Sequence, residues 1–139
     1  PTGVIQKVVN TPFDFLLPTQ IGSRIDAVDD QLTYGHGYDH NYVLNPSDSL
    51  VSFAARVVEP VSKRTLEVYT NEPGMQFYGG NFLDGTVKGK KDKNYEHRGA
   101  FCLETQHFPD SPNKIQFPST SLAAEEPYYS ICIYKFGLL

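Results

Sequence analysis

Residues 51–69 read VSFAARVVEPVSKRTLEVY, and this stretch decides the fold class. Apolar residues recur at every second position in its first half, which is the period of a half-buried strand. The positions expected to share one strand face are Val51, Phe53, Ala55 and Val57. Leu66 and Val68 alternate in the same way with polar neighbours. The connection EPVSKR contains a proline and charged residues, so the two runs are predicted to form a β-hairpin.

Other apolar and aromatic runs predict further strands. They are residues 4–9, residues 100–106 (AFCLETQ) and residues 128–136 (YYSICIYKF). Ten prolines and 11 glycines leave little room for helices, and the only helical turn expected lies near residues 18–25. Together these patterns predict an all-β protein, an antiparallel β-sandwich forming a single domain over residues 1–139.

Composition narrows the classes of function. The net charge of −4 argues against a nucleic-acid partner, because phosphate binding needs clustered Lys and Arg. The basic run KGKKDK at residues 88–93 is interrupted by Gly and Asp and is read as a solvated loop. No apolar run approaches the roughly 20 residues of a membrane span. Cys102 and Cys132 lie in apolar runs and are expected to be buried thiols, or to form one disulfide if their strands are neighbours. Neither CxxC nor a Cys/His cluster is present, so no structural metal is expected.

Glu104 lies near the end of the apolar run AFCLETQ. Strand alternation would place Phe101 and Leu103 on one face, and Cys102 and Glu104 on the other. Burying a carboxylate without a partner is costly, and burial shifts carboxylates toward the range useful for a general base. The pattern therefore leaves two interpretations open, a solvent-facing glutamate at a sheet edge and a catalytic base.

Asp39 lies in the glycine-rich stretch GHGYDHN, residues 35–41. His36, Asp39 and His40 are all of metal-ligand type, but no fourth ligand accompanies them. The pattern favours an ordinary turn in which Asp39 accepts backbone N–H bonds over a metal site.

Gln76 alternates with apolar Met75 and Phe77 in EPGMQFY, so its side chain should point away from them. A planar amide offers both a donor and an acceptor, which suits a pair of sugar hydroxyls, or else a nearby loop carbonyl. Glu72 precedes Pro73 and Gly74 and is expected to shape or cap the turn, without a catalytic role. Aromatic residues at 77, 78 and 82 are candidates for an apolar platform under a sugar ring, or for the core.

Three blocks of this chain, in this order, resemble the aldose 1-epimerase family, the galactose mutarotases. They are GYDHNYVL at residues 37–44, NEPGMQFYGGNFLDG at residues 71–85 and FCLETQHFPDSPN at residues 101–113. The similarity extends over nearly the whole chain, from PTGVIQKVVNTPFDF at the start to YKF near the end. The resemblance implies that the expected β-sandwich is part of the galactose mutarotase-like one.

The resemblance also implies a role for each of three residues. Glu104 would be the general base, while Asp39 and Gln76 would bind sugar hydroxyls. The implied reaction interconverts the α and β anomers of a free aldohexose, such as galactose or glucose, by acid–base ring opening. It implies no cofactor, no metal and no covalent intermediate.

The chain resembles the C-terminal part of such an enzyme. The family's general-acid histidine is expected in an upstream part that this chain lacks, and that N-terminal part of the same protein is the expected partner. The acid role is not assigned to His36, His40, His97 or His107, because none lies in a matching motif. An alternative is a non-catalytic carbohydrate-binding or interaction fragment of the same β-sandwich lineage.

Overall fold

β-Strands carry the fold of residues 2–139, the part of the chain that this computed structural model describes. Their bounds are β1 Asp39–Val43, β2 Ser52–Val58, β3 Arg64–Thr70, β4 Gly74–Tyr78, β5 Cys102–Gln106 and β6 Cys132–Leu138. They form two three-stranded sheets, with strand orders β1-β4-β5 and β2-β3-β6. The predicted all-β fold class is confirmed.

The predicted hairpin is formed by β2 and β3, which pair in antiparallel register from Ser52 opposite Thr70 to Val58 opposite Thr65. A β-bulge between Phe53 and Ala55 interrupts the ladder. The extra residue reverses the alternation, so Phe53 pairs with Tyr69 while Ala55 pairs with the fully buried Val68. The prediction that Phe53 shares a face with Ala55 is therefore wrong, and 56% of Phe53 is exposed.

The strand predicted at residues 100–106 is confirmed as β5, and the strand predicted at residues 128–136 begins later, as β6. β6 pairs antiparallel with β3, from Thr70 opposite Cys132 to Arg64 opposite Leu138. The strand predicted at residues 4–9 is wrong. A turn follows Val8 instead. The carbonyl oxygen of Val8 accepts hydrogen bonds from the backbone N–H and from the side-chain hydroxyl of Thr11.

The sequence reading missed the short helix α1, Asp30–Gly35. Asp29 caps it by accepting hydrogen bonds from the N–H groups of Gln31 and Leu32, and His36 ends it in the left-handed conformation. The aspartate cap was the available signal, but six residues are too few for a helical period to appear. The helical turn expected near residues 18–25 is a 3-10 turn at Ile21–Ser23.

The described chain divides into two compact units. Unit 1 contains Asn41–Gln76 and Leu103–Leu139, and unit 2 contains Thr2–His40 and Phe77–Cys102. The buried apolar side chains of unit 1 are Val68, Met75, Leu103 and Phe108, and those of unit 2 are Ile25, Leu32, Tyr38 and Phe77. The single domain over residues 1–139 remains a prediction.

Both cysteines are exposed, so the prediction that they are buried is wrong. Cys102 lies on the exposed face of β5, opposite the buried Leu103, and every residue of β6 is exposed, including Cys132. Among residues 2–139, no helix has the length and apolar character that a membrane crossing requires.

Candidate functional site

Gln76 lies in β4, which is the central strand of its sheet. Its neighbours Met75 and Phe77 are both buried, at 5% and 6% exposure, whereas Gln76 is half-buried. Because strand side chains alternate, the amide points to the face opposite these apolar side chains. The alternation predicted this orientation correctly.

Glu104 lies in β5, which is the neighbour of β4 in the sheet. Leu103 is buried, and Cys102 and Glu104 on the other face are exposed. The alternation predicted these faces. Within residues 2–139, the Glu104 side chain is exposed to solvent rather than buried.

Gln76 and Glu104 share one face of this sheet. The ring centroids of Phe77 in β4 and Phe101, the residue before β5, lie 6.4 Å apart. The apolar side chains of the two strands therefore lie on the same face of the sheet. Gln76 and Glu104 lie on the opposite face of their strands, and both belong to unit 1. A neutral amide and a carboxylate on adjacent strands can donate to and accept from neighbouring hydroxyls of a polar ligand.

Asp39 belongs to unit 2, where it is the first residue of β1 and is half-buried. It therefore begins a strand rather than occupying the expected turn. Asn81 fixes the backbone that precedes it, because the Asn81 amide donates hydrogen bonds to the carbonyl oxygens of Gly35 and Tyr38 at 3.0 and 2.8 Å. The N–H of Gly79 donates to the same Tyr38 oxygen at 2.8 Å. The entry into β1 is thus held by directional contacts.

His40 accepts a hydrogen bond at Nδ1 from the N–H of Asp39, at 3.0 Å. Burial lowers the pKa of His40 below its usual value, although the adjacent Asp39 carboxylate partly opposes this effect. A neutral imidazole is the form that accepts at Nδ1. No group of three or more His, Cys, Asp or Glu side chains within residues 2–139 is arranged to hold a metal ion.

Of the three aromatic residues considered for a platform, Phe77 belongs to the core of unit 2, where its ring stacks on Tyr38. Tyr78 and Phe82 stack on each other with centroids 6.2 Å apart and an interplanar angle of 14°. Phe82 is 61% exposed. The pair therefore offers an accessible aromatic surface in unit 2.

The sequence reading did not find the surroundings of Glu72, which lies in the turn between β3 and β4. Its carboxylate is 4% exposed, and its Oε2 lies 2.8 Å from Nδ1 of His107. The Tyr128 hydroxyl donates a hydrogen bond to Glu72 Oε1. These partners are far apart in the sequence, so the turn motif EPG alone gave no signal for the cluster.

The aldose 1-epimerase family model matches residues 1–135. The chain belongs to the aldose 1-epimerase family. Rat galactose mutarotase is 46% identical over 138 residues, and aldose 1-epimerase of Escherichia coli K12 is 36% identical over 138 residues. These alignments cover 99% and 98% of this chain, but only 39% of each relative.

A solved structure of a homologue in the same family is also similar to this chain. The GalM/aldose epimerase homologue from C. elegans superimposes on this chain with a TM-score of 0.82 and 27% identity. The superposition covers 100% of this chain and 40% of that homologue. The resemblance identified from the three sequence blocks is therefore confirmed. This aldose 1-epimerase family chain spans about two fifths of the length of the relatives that it matches.

Proposed function

We propose that this chain supplies the base side of an aldose 1-epimerase active site, which interconverts the α and β anomers of a free aldohexose such as galactose or glucose. Glu104 is the general base, and Asp39 and Gln76 bind sugar hydroxyls. The observation that carries the proposal is the shared face of Gln76 and Glu104 on neighbouring strands of a chain in this family.

The chemistry requires two proton transfers at the sugar. The Glu104 carboxylate removes the proton from the anomeric hydroxyl, and an acid protonates the ring oxygen, so that the ring opens to the free aldehyde. Rotation about the C1–C2 bond and reclosure give the other anomer. Base and acid then return to their starting protonation states. We propose that the acid histidine lies outside these 139 residues, in an N-terminal part like that of the longer relatives.

The solvent exposure of Glu104 is consistent with a site in which this chain supplies the base and an N-terminal part supplies the acid. A carboxylate in bulk water is a weak base, and covering it with further protein would both exclude water and raise its proton affinity. In this proposal the N-terminal part covers the exposed face of β5 and brings the acid to the opposite side of the sugar.

The direct test uses a chimera in which this chain replaces the matching segment of rat galactose mutarotase. Polarimetry of freshly dissolved α-galactose or α-glucose follows the approach to anomeric equilibrium. We expect the chimera to accelerate this approach, and Glu104→Gln to reduce turnover by about 10²–10⁴-fold, the usual contribution of a general base, while sugar binding largely persists. The exposed Glu125 provides the control, since Glu125→Gln removes a surface charge at a site without a proposed role. Near-normal turnover by Glu104→Gln would overturn the assignment.

The alternative is a carbohydrate-binding or interaction fragment without catalytic activity. The observation that favours it is the accessible Tyr78–Phe82 stack, since exposed aromatic rings pack against sugar faces. Saturation-transfer NMR with hexoses would detect binding by the chain alone. Binding that is never accompanied by faster anomer interconversion, even in the chimera, would support this alternative.

A further inference from the structure

The buried carboxylate of Glu72 takes no part in the proposed proton transfers. It is 4% exposed and lies in the turn that leads into β4. Burying an ion costs several kcal/mol even after relaxation. A chain that needed only stability at this position would be served as well by an apolar side chain of similar volume, so the charge calls for another explanation.

Glu72 has partners on both carboxylate oxygens. Nδ1 of His107 lies 2.8 Å from Oε2, and the Tyr128 hydroxyl donates to Oε1. Burial by itself raises the pKa of Glu72, but hydrogen bonds from Ser130 and Tyr128, together with His107, outweigh burial and leave that pKa below its usual value. The carboxylate is therefore ionised at neutral pH, and its Oε1 accepts a charge-assisted hydrogen bond from Tyr128.

The three side chains come from three different segments of unit 1. Glu72 precedes β4, His107 directly follows β5, and Tyr128 lies in the segment that approaches β6. The backbone around Glu72 is held by the segment that approaches β6 and by the residue that follows β1. The Thr70 hydroxyl donates to the carbonyl of Ile131, the N–H of Ile131 donates to Asn71, and the N–H of Leu44 donates to the carbonyl of Pro73.

This cluster is adjacent in sequence to both proposed site residues of unit 1. Gln76 in β4 lies about four residues after Glu72, and Glu104 in β5 lies about three residues before His107. A contact between Glu72 and His107 thus constrains how far β4 can slide or tilt against β5. A shift of about 1 Å in a catalytic group can reduce a rate by about 100-fold, so precise strand placement has a catalytic value that apolar packing would not supply.

We propose that Glu72, His107 and Tyr128 are positioning residues, which hold β4 and β5 so that Gln76 and Glu104 act on the same sugar. This inference rests on the proposed function. The three side chains are not expected to touch the sugar.

The test uses the chimera with rat galactose mutarotase and compares Glu72→Gln, His107→Asn, the double variant and Tyr128→Phe. We expect each single variant to lower kcat by about 10–100-fold with a smaller change in KM, because misplacement affects the transition state more than ground-state binding. We expect the double variant to lose much less than the product of the two single losses, because both changes break one contact. Tyr128→Phe removes a single hydroxyl from a mostly exposed ring, so it tests the cluster if Glu72→Gln fails to fold.

A destabilised control separates positioning from general loss of structure. Leu66→Ala in β3 removes apolar contacts from the hairpin but leaves the cluster untouched. We expect it to lower the melting temperature while kcat of the folded enzyme stays unchanged. Equal kcat for Leu66→Ala and Tyr128→Phe, or independent effects of Glu72→Gln and His107→Asn, would overturn the positioning role. An inactive parent chimera, or an active Glu104→Gln variant, would instead overturn the proposed function.

Discussion

Gly74, the first residue of β4, has no room for a side chain. A Cβ atom there would lie 2.7 Å from Oδ1 of Asn41 and 2.9 Å from Cδ1 of Phe108. We expect Gly74→Ala to lower the free energy of unfolding by about 1–3 kcal/mol, the usual cost of overpacking. Urea unfolding measures the change. Gly22→Ala is the matched control, because nothing lies within 4 Å of its Cβ. Equal stability of the two variants would contradict the packing described for Gly74.

At the scale of residues, the sequence predicted the direction of a side chain better than it predicted the groups around that side chain. Alternation of apolar and polar residues was enough to place Gln76 and Glu104 opposite their apolar neighbours, because the side-chain period of a strand is a local property. The contact between Glu72 and His107 could not be predicted in this way. It depends on which strands become neighbours, and a single sequence does not encode strand order in its period.

At the scale of elements, the hairpin of β2 and β3 was predictable because both strands and their connection are contiguous in the sequence. The face of Phe53 was not, since the bulge beside Ala55 leaves no mark on the pattern. The prediction of a short strand at residues 4–9 was wrong for a different reason. Its composition suits a strand, but a strand also needs a partner, and no strand is formed there in the described chain.

The loop of this hairpin should be sensitive to acid. The carboxylate of Glu59 accepts hydrogen bonds from the Ser62 side chain and from the N–H groups of Val61 and Ser62, which lowers its pKa from 4.5 to about 2. A lowered pKa contributes stability that is fully present above pH 4.5 and is lost as the pH falls toward 2. We expect the urea midpoint to fall across this range, and to fall less steeply in Glu59→Gln. Because Glu59 is exposed, the difference should shrink in high salt. Parallel pH profiles for the two proteins would contradict this account.

At the scale of the whole molecule, β6 leaves large apolar side chains in contact with solvent. Ile133, Phe136 and Leu138 are 44%, 77% and 74% exposed. Exposed apolar area of this kind is typical of a surface that another part of a protein covers.

We therefore expect the isolated 139-residue chain to be marginally stable, or to associate with itself or with a complementary N-terminal fragment. Size-exclusion chromatography and polarimetry, applied to the chain alone and mixed with the N-terminal segment of rat galactose mutarotase, test this expectation. We expect catalysis to appear only in the mixture, because the acid would then meet Glu104. A stable monomer that is fully active by itself would show that the acid lies among these residues.

β6 also exposes apolar side chains at the edge of a sheet. It is the outer strand of its sheet within residues 2–139, and Lys135 is its single charged residue. An exposed apolar edge strand is a template for β-aggregation, and one charge in the middle of such a strand acts as a gatekeeper. The ammonium of Lys135 also lies 3.1 Å from the Glu67 carboxylate of β3. Acetylation of Lys135 would remove this charge and weaken the barrier to fibril growth.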